Sequence, residues 1–198
     1  MRSAKMNGYQ GKFESSFLSC ETDTESIVRK LFVDSRPYSD LLKRLLLINT
    51  TDCLDNMTNQ EYVNIIRSTS IKDLIDEGYI RFSPKITRGE NEKVKNYLVI
   101  SFDNFTPNAS NPHYRDCTIM IDILCHTDYW DIGNYRQRPL KIAGYIDGIL
   151  NETKLSGIGR LSFLGANELV LSEQLSGYCL IYSATHGVDD LETISIDD

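Results

Sequence analysis

The closest approach to a metal set in this sequence is His113, Cys117, Cys125 and His126, four residues of ligand type within a short stretch. Zinc requires its ligands together, with sulfur about 2.3 Å from the metal. The residues between the two cysteines alternate in polarity, as a strand does, and eight steps at roughly 3.3 Å separate Cys117 from Cys125 by about 26 Å. Cys125 and His126 also point to opposite faces of such a strand. The set therefore reads as two core cysteines and a surface histidine, with no metal.

Asp103, Asp116, Asp122 and Asp128 are the carboxylates that would have to gather around a magnesium ion for phosphoester chemistry. No Asp-x-Lys or Glu-x-Lys follows on an adjoining strand, and Asp122 reads as an outward residue of a sheet. Gly157-Ile158-Gly159 follows a helical pattern and lacks a third glycine, so it is a helix stop and turn and not a dinucleotide fingerprint. The sequence contains no GxxxxGK[ST], G-x-S-x-G or HExxH pattern. Catalytic, cofactor-binding and metal-binding residues are accordingly all assigned as none, and the chain is read as a non-enzyme without a cofactor.

Two charged features remain. Arg136, Arg138 and Lys141 fall before and at the start of a helical pattern, where the helix dipole favours acids. Either a solvated face or a carboxylate of a neighbouring subunit would satisfy them. The acidic stretch Val188 to Asp198, with Asp189, Asp190, Glu192, Asp197 and Asp198 and no base, is a candidate to supply that carboxylate, and otherwise a solvated end.

The elements that would position these residues follow from periodicity. Residues 1–23 are polar and Ser-rich, an arm without a periodic face. From Thr24, a possible cap, Ile27, Leu31 and Phe32 recur at helical spacing. Pro37 to Asn49 carries a wide apolar stripe through Leu41, Leu42, Leu45, Leu46 and Ile48. Residues 60–76 read as two short helices ending at Gly78. The period then changes to two. Tyr79 to Phe82 is a short strand, 87–95 a polar loop, and Tyr97 to Phe102 a half-buried strand closed by a turn-rich segment from Asp103 to Pro112. Cys117 to His126 is the clearest strand, with Cys117, Ile119, Ile121, Ile123 and Cys125 on one face. Arg138 to Asn151 is a helix burying Ile142, Ile146, Ile149 and Leu150. Leu161, Phe163 and Leu169 to Leu171 give a strand or hairpin, and Tyr178 to Ser183 the last strand.

Helices first and strands after, with one helix inserted, predict an α+β fold: a largely antiparallel sheet with helices packed on one face. One domain over 24–187 lies between the arm and the acidic tail at 188–198. The 198 residues suffice for one core. With 41% hydrophobic and 25% charged residues and a mean hydropathy of -0.30, the chain is globular and not disordered.

A net charge of -7 and a pI near 5.0 exclude a surface that clamps nucleic acid, although an acidic wall would let DNA pass without sticking. No apolar run has the length of a membrane span, and the start lacks the apolar segment of a signal peptide. Cys20, Cys53, Cys117, Cys125 and Cys179 form no CxxC pair and read as reduced thiols. The Asn-x-Ser/Thr matches at Asn49, Asn56, Asn104, Asn108 and Asn151 would matter only after export.

The segments YLVISFDNFTPN, DCTIMIDILCHTDYW, RPLKIAGYIDGILN, LSGIGRLSFLGANELVLS and GYCLIYSATHG run from Tyr97 to Gly187. Their order, a strand with an Ile-Asp-Ile run at Ile121 to Ile123, an amphipathic helix and a Leu-x-Gly turn at Leu155 to Gly157, resembles the tail-terminator or tail-completion neck proteins of tailed bacteriophages. The resemblance implies a virion protein assembled in the host cytoplasm as a homo-oligomeric ring. Its partners would be the tail tube and the connector or portal-side proteins, with DNA passing through unread and no membrane involved. The front segment from Thr24 to Gly78 departs from that pattern, which leaves open a connector or stopper ring directly below the portal. An alternative of another class is a cytosolic metal-dependent enzyme built around Asp122 and His113.

Overall fold

A computed structural model describes the chain at residue 17 and over residues 20–83, 94–110, 114–155 and 157–186. The acidic tail at 188–198, His113 and most of the arm and of the polar loop lie outside the described residues. Among the described residues, five α-helices and seven strands follow in the order α1 (Cys20–Phe32), α2 (Tyr38–Leu47), α3 (Gln60–Ser68), α4 (Ile71–Asp76), β1 (Ile80–Arg81), β2 (Tyr97–Pro107), β3 (Arg115–His126), α5 (Arg138–Leu150), β4 (Lys154–Leu155), β5 (Gly159–Arg160), β6 (Ser162–Val170) and β7 (Leu175–His186).

The class is α+β, as the order of periodicities predicts. β1, β2, β3, β7 and β6 lie side by side in one sheet. Only the β1–β2 pair is parallel; β2–β3, β3–β7 and β6–β7 are antiparallel. β3 is central, and its Cys117, Ile119, Ile121, Ile123 and Cys125 face joins α1, α2 and α5 in the main core through Ile27, Leu31, Leu42, Leu45, Ile142 and Ile146. Each such side chain contributes roughly 1.5 to 3 kcal/mol by leaving water. On the opposite face a smaller cluster forms from Tyr97, Val99, Leu124 and Leu175.

Local chemistry fixes the ends. Asn59 caps α3, its side chain accepting from the Glu61 and Tyr62 amides. A capping box, Ser70 with Asp73, opens α4 directly after α3 ends, which is why residues 60–76 make two helices. α1 begins at Cys20, earlier than Thr24, and Thr24 Oγ1 donates back to the Cys20 carbonyl at 2.7 Å instead of capping. Residues 20–23 therefore belong to the helix and not to the arm. β2 runs on to Pro107 where a turn is expected after Phe102, because its pairing with β3 resumes beyond an irregularity between Asp103 and Thr106.

Gly177 sets the spacing of the central strands. A Cβ there would overlap the Ile123 carbonyl of β3. Only glycine permits this approach of β7 to β3.

Candidate functional site

The structure disperses the metal candidates. Cys117 and Cys125 share the helix-facing side of β3, opposite Ala184 and Ser176 of β7, and both are buried. Burial pushes each thiol up to about 12, so neither offers a thiolate. His126 is buried and not a surface residue. Its Nδ1 accepts from the Asp128 amide at 3.3 Å, capping the 3-10 turn Thr127–Tyr129. At the end of β3 its ring lies 6.4 Å from that of Tyr129, tilted by 58°.

The aspartates are scattered likewise. Asp103 Oδ1 accepts from the Asn104 amide at 2.8 Å. Asp116 Oδ1 holds Asn108 Nδ2 at 2.8 Å and Thr185 Oγ1 at 3.0 Å, tying three segments of the sheet's far end. Asp122 sits opposite Cys179 on the outer face, and burial, with the hydrogen bond to Asp122, raises that thiol to about 12. Among the described residues no group of three or more His, Cys, Asp or Glu could hold a metal ion. Gly157, with φ of 79°, lies in the turn between β4 and β5, and Gly159, with φ of 75°, opens β5 opposite Leu155.

The basic cluster is answered within the chain, which corrects both readings of Arg136 and Arg138. Arg136 Nη2 pairs with Asp55 Oδ2 at 2.5 Å and donates to the Ile132 carbonyl at 3.1 Å. Arg138 is fully buried. Its guanidinium donates to the carbonyls of Leu45 at 2.6 Å, Ile48 at 2.9 Å, Thr50 at 2.9 Å and Tyr129 at 2.8 Å. The first residue of α5 thus places its charge at the C-terminal end of α2, where the carbonyls need donors and the dipole favours a cation. Asn96 adds bonds to Leu45 and Leu46, and the buried Arg44 donates to the Cys53, Asn56 and Met57 carbonyls of the following loop. Lys141 stays half-exposed.

What the fold leaves open is its β6 edge. Among the described residues β6 is the last strand of the sheet, with β7 on one side and no strand on the other. Phe163, Leu164, Val170 and Leu171 are exposed there, Leu164 at 61% and Val170 at 68%. Glu168 is the strand's single charge, and it has neither lysine nor proline, although an irregularity between Phe163 and Gly165 interrupts its pairing with β7. Sequence reasoning read Phe163 and Leu169 to Leu171 as strand but not as an edge, since position in a sheet is set by pairing partners far away in the chain. A groove of about 850 Å³ also lies between α1 and α4, lined by Val28, Ile71, Ile75 and Phe82.

No helix among the described residues is long and apolar enough to cross a membrane. Residues 39–184 match the model of the YomW family, a Bacillus phage-type protein family. No curated protein matches the chain.

Proposed function

The chain belongs to the YomW family, which makes it phage-associated, and we propose that it is a non-enzymatic structural protein of the virion neck. In this reading copies form a ring around the DNA path, and the ring terminates the tail or joins it to the head connector. The observation that carries the reading is the exposed apolar edge at β6. Such an edge is a liability in a monomer and an asset in an assembly, because a neighbouring copy covers it. The net charge of -7 suits a wall past which DNA slides. The sequence pattern from Tyr97 to Gly187 adds the resemblance to tail terminators.

A connector position directly below the portal is the second reading, favoured by the four helices α1 to α4 that precede the sheet. Light scattering of the purified protein, with negative-stain imaging of the same sample, tests both. Closed rings are expected, and a copy number of twelve would favour the connector. A strict monomer that carries stoichiometric metal would instead favour an enzyme.

A further inference from the structure

We infer that the groove between α1 and α4 receives the N-terminal arm, residues 1–16, of a second copy of this chain, so that each copy holds the next head to tail. The inference rests on the ring reading and goes beyond it by naming the segment and the surface that meet.

The groove has the chemistry of a site for a basic segment with apolar anchors. Its volume of about 850 Å³ is that of a ligand-binding cleft, and Val28, Ile71, Ile75 and Phe82 give it an apolar floor. Phe82 is 46% exposed there, so the fold itself does not cover it. The two walls differ in charge. On the α4 wall Lys72 and Asp76 pair with each other. On the α1 wall Glu21, Glu25 and Arg29 follow one another at single-turn spacing, all three exposed. Among the described residues neither glutamate has an ion-pair partner. Like charges at this spacing repel, and a base placed between them relieves the repulsion.

The arm supplies the matching residues. Over 1–16 it carries Arg2, Lys5 and Lys12 against Glu14 alone, in a chain whose net charge is -7. Tyr9 and Phe13 offer large apolar area for the floor, and Met1 and Met6 fill irregular gaps. The bases answer Glu21 and Glu25, and Glu14 gives Arg29 a counterpart.

The position of Phe17 favours a neighbour's groove. Its ring lies 4.9 Å from that of Phe105, with the Arg115 guanidinium 5.8 Å away, so the chain enters α1 from the Phe105 end of β2. The α4 and Phe82 wall belongs to the opposite end of that strand, where the Leu98 amide donates to the Tyr79 carbonyl at 2.8 Å and Ile80 pairs with Leu98. Leu98 and Phe105 stand roughly 23 Å apart along the strand. The point from which the arm is offered and the wall that completes the groove are therefore different places on the molecule. A contact between unlike surfaces, repeated by rotation, closes a ring. Sixteen residues reach at most roughly 55 Å, enough to cross to an adjacent copy.

The test uses the full chain and follows alkylation of Cys20 by mass spectrometry, with light scattering of the same samples. Cys20 lines the groove, whereas Cys53, Cys117, Cys125 and Cys179 are buried. In wild type the alkylation of Cys20 should slow several-fold as protein concentration rises through the range in which the mass increases. Lys5→Glu with Lys12→Glu, which leaves α1 and α4 unaltered, should keep Cys20 fast at every concentration. Glu21→Lys with Glu25→Lys should do the same, and the four changes together should restore the slowing, which a general effect of charge would not do. Slow alkylation that does not depend on concentration, and is lost in the arm variant, would overturn the contact between copies in favour of the chain's own arm. Equal rates in wild type and the arm variant, in samples that still form closed rings, would overturn the arm and leave the ring reading standing. Equal rates in samples that stay monomeric would overturn the arm and the ring together.

Discussion

The junction of α2 with α5 and the β6 edge invert each other's chemistry. At the junction, charged residues that look like surface features are internal: Arg138 and Arg44 are buried and donate to the carbonyls that end α2 and form the loop after it. At β6, apolar residues that look like core are outside, Phe163, Leu164 and Val170 among them. The comparison teaches that residue type reports what a side chain must satisfy, and not where it lies. A guanidinium can be satisfied by carbonyls as well as by water, and a leucine by a second protein as well as by its own core.

The largest expected effect bears on the core that both regions share. Ile121→Asp should abolish folding, because Ile121 is fully buried at the centre of β3 and the new carboxylate would have no partner. A soluble variant that melts cooperatively would show that the faces of β3 are assigned the wrong way round.

Next, Arg138→Met should cost more than about 3 kcal/mol in urea denaturation, since several buried carbonyls lose their donor at once. Arg136→Ala, two residues earlier, should cost far less, because its pair with Asp55 is partly solvated. Equal losses for the two would erase the distinction between staple and surface bridge.

A pH series sharpens the same contrast from the core side. Burial raises the Cys117, Cys125 and Cys179 thiols to about 12 from an ordinary value of 9.0. The folded state then keeps protons that the unfolded chain releases. The stability involved is fully present below about pH 9 and is lost as pH rises toward 12, by roughly 1.4 kcal/mol per pH unit for each thiol at most. Urea midpoints measured between pH 8 and 10 should fall, and Cys125→Ala should remove one thiol's share of the slope. A flat profile would mean that these thiols ionise as freely in the native protein as in the unfolded one. The smallest effect is expected at the edge, where Leu164→Lys should change stability by less than about 0.5 kcal/mol.

Much of the fold was legible in the sequence because its signals are local. The period-two pattern from Cys117 to His126 and the helical stripe from Arg138 found β3 and α5 nearly to the residue. Asp103, Asn104 and Pro107 read as turn residues that end β2 early, while distant pairing with β3 holds them in a strand. His126 was placed on the surface because alternation alone puts it opposite the buried cysteines, yet that end of the outer face is covered too, as Leu124 and Leu175 show. The roles of Arg138 and of the β6 edge were illegible for one reason. Three of the four Arg138 partners, Leu45, Ile48 and Thr50, lie some ninety residues back along the chain, and the openness of β6 follows from which strands the other elements take as neighbours.

Gly177, where β7 comes too close to β3 to admit a Cβ, has a practical corollary for anyone who wishes to watch this protein at work. The middle of the sheet cannot carry a reporter: a dye, a spin label or even an added methyl group at that position would pry the strands apart and report on the damage. The exposed positions of β6, Leu164 above all, have room for such a tag, so the part of the molecule that is easiest to label is also the part whose encounters are most worth observing.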